Sequence, residues 1–285
     1  MNDELIEAYM RAYLYELEKE INANQNILKD VRFQMDEANT DKEVKQVLKD
    51  YINNSCNTIK KIKKVIIDNK EYDLDIHAFS VFARIPDDYT EDDKELVKEE
   101  KSAVYVNPDM ILKCKIHDIE TKQYLELKST KDDKIPGSSV QQVVPDEWVL
   151  FIKHSKGKIE SVSGQYKNSI SGTMQFPDRS PRPQVSYNEL KQWLQEYRVE
   201  TESTLEFRHD KNNEGKEKLL TDWQGVLSDR WLNVLKSDKK KKNEPWFNNN
   251  LRKFVISLLE YYDSMSSNEK ESFKGKIKNN IDEGE

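Results

Sequence analysis

Apolar residues recur at helical spacing in the first sixty residues of the chain. In residues 3–21 they stand at Leu5, Ile6, Tyr9, Met10, Tyr13, Leu14, Leu17 and Ile21. A second run contains Val44, Val47, Leu48, Tyr51, Ile52, Ile59 and Ile62. This spacing predicts two amphipathic helices. We expect the second to begin after an N-cap at Thr40 or Asp41 and to end in the lysines of segment 60–64, which suit a helix C-terminus.

From residue 73 the pattern changes to the two-residue alternation of β-strands. The strand-like pieces, separated by turn residues, are "DLDIHAFSVFARIP" (73–86), "AVYVNPDMILKCKI" (103–116), "QYLELKS" (123–129), "EWVLFIKH" (147–154) and "KIESVSGQY" (158–166). The charged segment 87–101 predicts an exposed loop or a short helix. Helical patterns return after Ser186, around Trp223 and Trp231, and in 246–265. The polar tail from Ser266 is expected to be frayed.

Helices on both sides of a run of strands predict an α/β fold with a central mixed β-sheet flanked by helices. We divide the chain into a helical amino-terminal region (1–70), a core that contains the sheet (71–176) and a helical carboxy-terminal region (177–285). Within the core, a Gly/Ser turn and a short helix are expected between the strands at 123–129 and 147–154.

The composition describes a folded protein with a highly charged surface. Of the 285 residues, 36% are hydrophobic and 35% are charged, and the mean hydropathy is −0.91. The aromatic fraction of 9% is too high for a disordered chain. No apolar run approaches the roughly 20 residues that span a bilayer, and Asp3 and Glu4 stand where a signal peptide carries positive charge. We therefore expect no membrane association and a cytoplasmic location.

The net charge of −7 disfavours nucleic acid as a partner, but the charge is unevenly distributed. Residues 111–184 hold ten Lys and two Arg against nine Asp or Glu, a local excess of three positive charges. A DNA-binding face needs local rather than average positive charge. DNA binding is therefore compatible with the acidic total.

Residues 107–130, "NPDMILKCKIHDIETKQYLELKST", contain two apolar-alternating runs, the first headed by an aspartate and the second interrupted by a glutamate and a lysine two residues apart. Side chains two apart on a strand point to the same face, so Glu126 and Lys128 project together while the leucines beside them project to the buried side. Asp109 heads the preceding strand, and "HDIETK" between the strands is turn-like. A hairpin there would bring Asp109 within a residue or two of Glu126. The pattern predicts two carboxylates and one ammonium on one face of the sheet.

Such a cluster suits the hydrolysis of phosphodiesters. Two carboxylates can hold Mg²⁺, which binds few protein oxygens and keeps several waters. The ion lowers the pKa of a bound water and polarises a phosphoryl oxygen. A lysine two residues beyond the glutamate can orient that water or offset charge in the transition state. The competing interpretation is an exposed hairpin with an ordinary Glu–Lys pair, because Pro-Asp occurs four times in the chain and Glu-x-Lys also recurs.

Pro108-Asp109, sixteen intervening residues and Glu126-Leu127-Lys128 resemble the signature of the PD-(D/E)XK nuclease superfamily. The strand–turn–strand setting is similar to that of type II restriction endonucleases, over about residues 76–176. The resemblance implies a restriction-endonuclease-like core in which Asp109, Glu126 and Lys128 are catalytic. Mg²⁺ would be bound by Asp109, Glu126 and the main-chain carbonyl of Leu127, and Lys128 would assist the attacking water. The implied reaction is sequence-specific cleavage of double-stranded DNA to 5′-phosphate and 3′-hydroxyl ends.

Two polar segments are candidate DNA contacts. Gln can pair bidentately with adenine and Ser can contact bases or phosphates; the segment after the second strand holds Ser138, Ser139, Gln141 and Gln142. Arginine suits phosphate or guanine, and the proline-stiffened segment 176–187 presents Arg179 and Arg182. The alternatives are a capped, solvated helix start and a stiff connection into the next helix.

A restriction enzyme would have further partners. A homodimer matches the twofold symmetry of a palindromic DNA site and brings one catalytic cluster to each strand. We expect the carboxy-terminal region to contribute to DNA binding or to this dimer, and a companion DNA methyltransferase acting on the same site is compatible with it. Three rival functions stay open: a repair or junction-resolving nuclease of the same superfamily, a DNA-binding module that does not cut, and an interaction protein whose hairpin happens to carry the pattern.

Overall fold

A computed structural model describes residues 3–29, 31, 33, 37–101, 108–137, 144–155, 157–174, 183–210, 213–237 and 245–281. Over these residues the chain is a mixed α/β protein, as the sequence pattern predicted. It divides into two compact units, Met1–Trp223 and Gln224–Glu285. None of the helices in the described ranges is long and apolar enough to cross a membrane.

The helices and strands alternate along the first unit, and helices follow in the second. The helices are α1 (Asp3–Ala23), α2 (Glu37–Ser55), α3 (Glu91–Lys101), α4 (Tyr187–Tyr197), α5 (Asn213–Thr221), α6 (Trp223–Lys236), α7 (Pro245–Asp263) and α8 (Ser267–Asn279). The strands are β1 (Lys64–Ile67), β2 (Lys70–Asp73), β3 (Phe79–Arg84), β4 (Met110–Ile116), β5 (Ile119–Thr130), β6 (Lys134–Pro136), β7 (Trp148–Ser155), β8 (Lys158–Gln165), β9 (Ile170–Met174), β10 (Pro183–Ser186), β11 (Arg198–Glu200) and β12 (Thr204–Phe207). Short 3-10 turns lie at Ile76–Ala78, Pro86–Asp88 and Tyr166–Ser169.

The strands of the described residues form three sheets. The largest has the order β3-β4-β5-β7-β8, in which β5 and β7 are parallel and the other neighbours are antiparallel. A second sheet has the order β11-β12-β1-β2, with β1 and β12 parallel, and a third has the order β6-β10-β9. The largest sheet is therefore mixed, as expected for the core.

Helix α1 packs across one face of the largest sheet and forms the centre of the core. The rings of Tyr9 and Tyr13 lie 5.5 and 5.6 Å from the ring of Phe79 on β3. On β8 the hydroxyl of Ser163 donates to the carbonyl of Leu14 (3.1 Å). The predicted amphipathic helix is present, and its apolar side covers the face to which alternate residues of β3, β4 and β8 point.

The opposite face of the same sheet is covered by α3 and α4. Before α3, Tyr89 packs with Val97 of that helix on the fully buried Ile111 of β4. The ring of Tyr187, at the start of α4, meets Phe151 of β7 edge-on with ring centroids 5.9 Å apart. The candidate catalytic side chains belong to this second face.

The second helix differs from its prediction at both ends. It covers Glu37–Ser55, so the expected N-cap positions, Thr40 and Asp41, lie inside it, and the lysine-rich segment lies beyond its end. At the carboxy-terminal end the reason is a contact with α1: three consecutive backbone N–H groups, of residues 60–62, donate to the carboxylate of Glu16 over 2.7 to 2.9 Å. These donors cannot serve a helix at the same time, and the chain enters β1 directly.

The sequence pattern did not predict the sheet of β1, β2, β11 and β12. These strands have three or four residues each; β1, β11 and β12 lie in regions expected to be helical, and β2 lies at the start of the predicted core. Their pairing is long-range, since Lys64 aligns with Thr204 in the parallel pair. The strand expected over 73–86 is also shorter, because Ile76–Ala78 forms a 3-10 turn before β3. Strands this short are held by partners that a local pattern does not reveal.

Two charged segments are helical. Segment 87–101 contains α3, one of the two alternatives expected there. The tail from Ser266 was expected to be frayed, and this was wrong, because α8 begins with a capping box. Ser266 accepts from the N–H of Glu269 (3.5 Å), and Glu269 accepts from the N–H of Ser266 (2.9 Å). The reciprocal bonds satisfy helix N-terminal donors in a polar sequence.

Candidate active site

The hairpin predicted between the two motif strands is present. β4 and β5 are antiparallel from Met110 opposite Leu125 to Ile116 opposite Ile119. The turn consists of residues 117 and 118, tighter than the six-residue "HDIETK", and His117 takes a left-handed backbone conformation (φ 54°). The alternation of apolar residues on both strands is therefore matched in register.

This register brings Asp109 to Glu126 and Lys128. Asp109 precedes the first paired residue of β4, and its Oδ2 accepts the backbone N–H of Leu127 (2.8 Å). The ammonium of Lys128 lies 2.6 Å from Oε1 of Glu126. The side chains of Asp109, Glu126 and Lys128 are 16%, 11% and 13% exposed. They are therefore largely buried, but each keeps a small surface in contact with solvent.

Lys45 of α2 also belongs to this cluster, and the sequence did not single it out. Its Nζ lies 2.6 Å from Oδ1 of Asp109, and its side chain is 17% exposed. Buried Val44 and Leu48 on either side of Lys45 fix the orientation of α2. No local signal separates Lys45 from Lys49 one turn later, because both follow a buried apolar residue of the same helix.

Burial and mutual charge shift the pKa values within the cluster. Burial, together with the negative charge of Glu126, raises the pKa of Asp109 to about 6 against the opposing effect of Lys45. Burial disfavours the ammonium of Lys128, but Glu126, Tyr166 and Asp109 outweigh it and raise the pKa of Lys128 above its usual range. Lys128 therefore enters any reaction at neutral pH as an ammonium that donates hydrogen bonds.

The cluster fits Mg²⁺ held by few protein ligands. Among the described residues, no group of three or more His, Cys, Asp or Glu could hold a metal ion. The carboxylates that the cluster offers are two, Asp109 and Glu126. Mg²⁺ is typically bound through one or two carboxylates and several waters. The backbone supplies another oxygen: the N–H and C=O of a strand residue point to the same side, so the Leu127 carbonyl faces the side on which its N–H meets Asp109.

Tyr89 fixes the chain just before Asp109. Its hydroxyl donates to the carbonyl of Pro108 (2.8 Å), and its ring packs on Ile111 two residues beyond the aspartate. Burial, followed by the charge of Asp109, raises the pKa of Tyr89. The hydroxyl therefore remains a hydrogen-bond donor across the accessible pH range.

Asp93 of α3 lies on the same face of the sheet, and it is surrounded by three basic side chains, an arrangement that the sequence did not predict. It has no exposed surface; Arg84 Nη1 is 2.7 Å from its Oδ2, and Lys113 and Lys122 are each 3.0 Å from its Oδ1. The three cations come from β3, β4 and β5 and are 25–32% exposed. The three cations, here called the basic strip, outnumber the one carboxylate that they share.

Ser138, Ser139, Gln141, Gln142, Arg179 and Arg182 all lie outside the described residues. The short helix expected after β5 falls largely on the same stretch, of which the described part includes strand β6. These six residues stay predictions from sequence.

Comparison with known proteins gives no relative from which a function for this cluster could be inferred. The chain matches no protein-family model, and no curated protein is significantly similar to it. The cluster brings together two carboxylates and two lysines from α2, β5 and the residue that precedes β4.

Proposed function

We propose that the chain is a Mg²⁺-dependent DNA endonuclease of the type II restriction class, with a core of the PD-(D/E)XK kind. The observation that carries the proposal is the hydrogen bond from the Leu127 N–H to Asp109. It joins the two halves of the motif, which are separate in sequence, into one cluster with Glu126 and Lys128. An ordinary exposed Glu–Lys pair would need neither a partner aspartate nor the low exposure of all three side chains.

The sheet order also supports this proposal. β3, β4 and β5 form an antiparallel meander, and β7 returns parallel to β5. A parallel neighbour requires a crossover connection between the strands. An active strand followed by a crossover into another core strand is the order that the resemblance implies.

The residues of the cluster have distinct roles in the proposed reaction. A bound Mg²⁺ would lower the pKa of a coordinated water and polarise a phosphoryl oxygen. Asp109, Glu126 and the Leu127 carbonyl would hold it. Lys128, as an ammonium already 2.6 Å from Glu126, orients the attacking water by donating a hydrogen bond and offsets negative charge that develops on the phosphate. Cleavage leaves 5′-phosphate and 3′-hydroxyl ends.

Double-stranded DNA is the substrate that we infer, and the basic strip beside the cluster supports it. Lys113 lies four residues from Asp109 along β4, which at about 3.3 Å per residue spans about 13 Å. The scissile phosphate at Asp109 would therefore leave neighbouring phosphates within reach of Arg84, Lys113 and Lys122. Their partial exposure leaves these cations able to contact a polyanion.

A homodimer is the assembly that we propose, because one cluster cuts one strand. Helix α7 in the second unit supports it by leaving large apolar side chains more than half exposed, namely Phe254, Ile256, Leu259 and Tyr261. Phe254 and Tyr261, seven residues apart, share one side of the helix, and exposed apolar residues on one side of a helix suit a protein interface. A companion methyltransferase acting on the same DNA site is compatible with this function.

Incubation of the purified chain with phage DNA and Mg²⁺ tests the proposal. We expect discrete fragments with Mg²⁺ and none with EDTA. A smear would indicate a nonspecific or structure-selective nuclease, and intact DNA would contradict nuclease activity and favour a non-cutting DNA-binding module.

A matched pair of variants tests the assigned centre. Lys128→Ala should slow cleavage by roughly a thousandfold, because the lysine acts on the transition state. Lys158→Ala is the control, since Lys158 forms a 2.7 Å pair with Glu160 two residues away on β8 but is 70% exposed and far from Asp109 in the sheet order. Normal cleavage by Lys128→Ala would show that the centre is wrongly assigned.

A further inference from the structure

Helix α2 delivers Lys45 to the oxygen of Asp109 that faces away from the backbone contact. Oδ2 accepts the Leu127 N–H, whereas Oδ1 lies 2.6 Å from Lys45 Nζ. The helix is anchored on β3 by Asn53, which exchanges two hydrogen bonds with the backbone of Ala83 (2.7 and 3.0 Å). Lys45 therefore reaches the cluster from a rigid element.

The ammonium of Lys45 offsets the negative charge of Asp109 without a metal. Asp109 and Glu126 carry two negative charges, and Lys45 and Lys128 carry two positive charges. Lys128 pairs with Glu126, and Lys45 pairs with Asp109. If Lys45 were absent, two largely buried carboxylates would share one ammonium, which is the condition that attracts a divalent cation.

A metal on the same oxygen would lie too close to this ammonium. Mg²⁺ stands 2.0–2.1 Å from its oxygen ligands, so the ion and Lys45 Nζ would be within about 5 Å of each other if neither moved. A unit charge and a divalent charge repel strongly at that distance, even in a medium as polar as water. The four-carbon stem of lysine allows the ammonium to move while its backbone stays in α2.

We propose that Lys45 holds the place of the metal ion at Asp109 and has to withdraw from this carboxylate when the metal binds. The inference rests on the proposed function, because it takes Asp109 as a metal ligand. The withdrawn ammonium stays tethered at the edge of the cluster, where a substrate phosphate can accept its hydrogen bonds. Metal binding releases Lys45 for a substrate phosphate, and a bound phosphate holds Lys45 away from Asp109. Metal and DNA therefore favour each other's binding.

Calorimetric titration with Mn²⁺ in the absence of DNA tests this role. Lys45→Met should tighten Mn²⁺ binding roughly tenfold or more, as expected when a unit charge about 5 Å from a divalent cation is removed. Lys45→Gln tests the same prediction with a polar side chain, should the methionine variant not fold. Lys45→Arg keeps the charge and should leave the affinity close to that of the unmodified chain.

Lys49→Met is the matched control. Lys49 lies one turn later on α2, its side chain is 15% exposed, and it forms a 2.8 Å pair with Asp88 rather than with the cluster. Its replacement should change Mn²⁺ affinity less than twofold, roughly, because its charge is balanced elsewhere. A tightening equal to that of Lys45→Met would reduce the effect to general charge and overturn the proposal.

Thermal unfolding gives a second readout. Without metal, Lys45→Met should unfold at a lower temperature than the unmodified chain, and saturating Mn²⁺ should raise its Tm more than it raises that of the unmodified chain. Unchanged or weaker Mn²⁺ binding in both neutral variants would overturn the proposal. If the unmodified chain still cuts DNA with Mg²⁺ in that case, the inference about Lys45 fails and the nuclease assignment stands. If no variant binds Mn²⁺, the inference fails together with the metal-dependent mechanism.

Discussion

Replacing Asp93 by asparagine tests whether charge holds the acidic helix α3 on the sheet. Asparagine has nearly the same size, so the change removes the charge and leaves the packing. Asp93 also forms a capping box with Thr90: the Thr90 N–H donates to Asp93 Oδ2 (3.1 Å), and the Asp93 N–H donates to the Thr90 hydroxyl oxygen (3.3 Å). The amide oxygen of asparagine can still accept from the Thr90 N–H. The expected loss of unfolding free energy therefore comes from the weakened ion pairs.

The magnitude follows from the exposure of the three partners. Arg84 and the Thr90 N–H meet the same oxygen, Oδ2, so an amide oxygen there still accepts from Arg84 but without the carboxylate charge. Losing that charge at an acceptor without exposed surface costs about 1.5–3 kcal/mol. Lys113 and Lys122 are about a third exposed, so each pair adds only about 0.5 kcal/mol after solvent screening. We expect the free energy of unfolding of the first unit to fall by about 3 kcal/mol. At about 2–4 °C per kcal/mol for a domain of this size, Tm falls by about 6–12 °C.

Differential scanning calorimetry of the full chain measures this change, with Asp92→Asn as control. Asp92 is the neighbouring, exposed acidic residue of the same helix. Its replacement weakens only the interaction with the helix dipole, worth about 0.3–1 kcal/mol. Equal shifts for the two variants would refute the reasoning, because the position in the basic strip would then not matter.

The pH dependence of the Asp93 effect has a definite sign. Burial raises its pKa, but Lys113, Lys122 and Thr90 outweigh burial and hold the pKa of Asp93 well below its usual range. The stabilisation is therefore present above the unfolded pKa of about 3.9 and is lost as pH falls towards the folded value. The Tm difference between the unmodified chain and Asp93→Asn should be smaller at pH 3 than at pH 7.

Three further predictions concern the cluster and Tyr89 beside it. Because burial and Glu126 raise the pKa of Asp109 to about 6, Mn²⁺ affinity should be level above that pH and should fall about tenfold per pH unit below it. The same raised pKa means that the contribution of Asp109 to stability without metal is present below about pH 4 and is lost as pH rises through about 6. A Mn²⁺ affinity that does not change with pH in calorimetry would contradict the raised pKa on which both predictions depend. Tyr89→Phe should lower the free energy of unfolding by about 1–2 kcal/mol and slow DNA cleavage, because the Pro108 carbonyl loses its 2.8 Å donor. Tyr72→Phe, at a partly exposed tyrosine of β2 that bonds to Glu4, is its control and should change neither the unfolding free energy nor cleavage.

The sequence by itself determined the hairpin and the meeting of the motif residues. Apolar residues alternate along 110–116 and 123–129, and a strand that buries one face has its register fixed by that alternation. Once the register is fixed, Asp109 can only lie next to Glu126, and Lys128 can only share the face of Glu126. Helices α1 and α4 were predictable for the same reason, since each has a strong apolar period of its own.

Tertiary structure alone decided which other charges join these residues. Lys45 and Lys49 are equivalent in the sequence of α2, and only the packing of that helix on β3 turns one towards Asp109 and the other towards Asp88. Likewise Asp93 is one of several acidic residues in an apparently exposed segment until cations from three strands surround it. The physical reason is that local periodicity records which side of an element is buried, whereas the partners of a charge depend on elements distant in the chain.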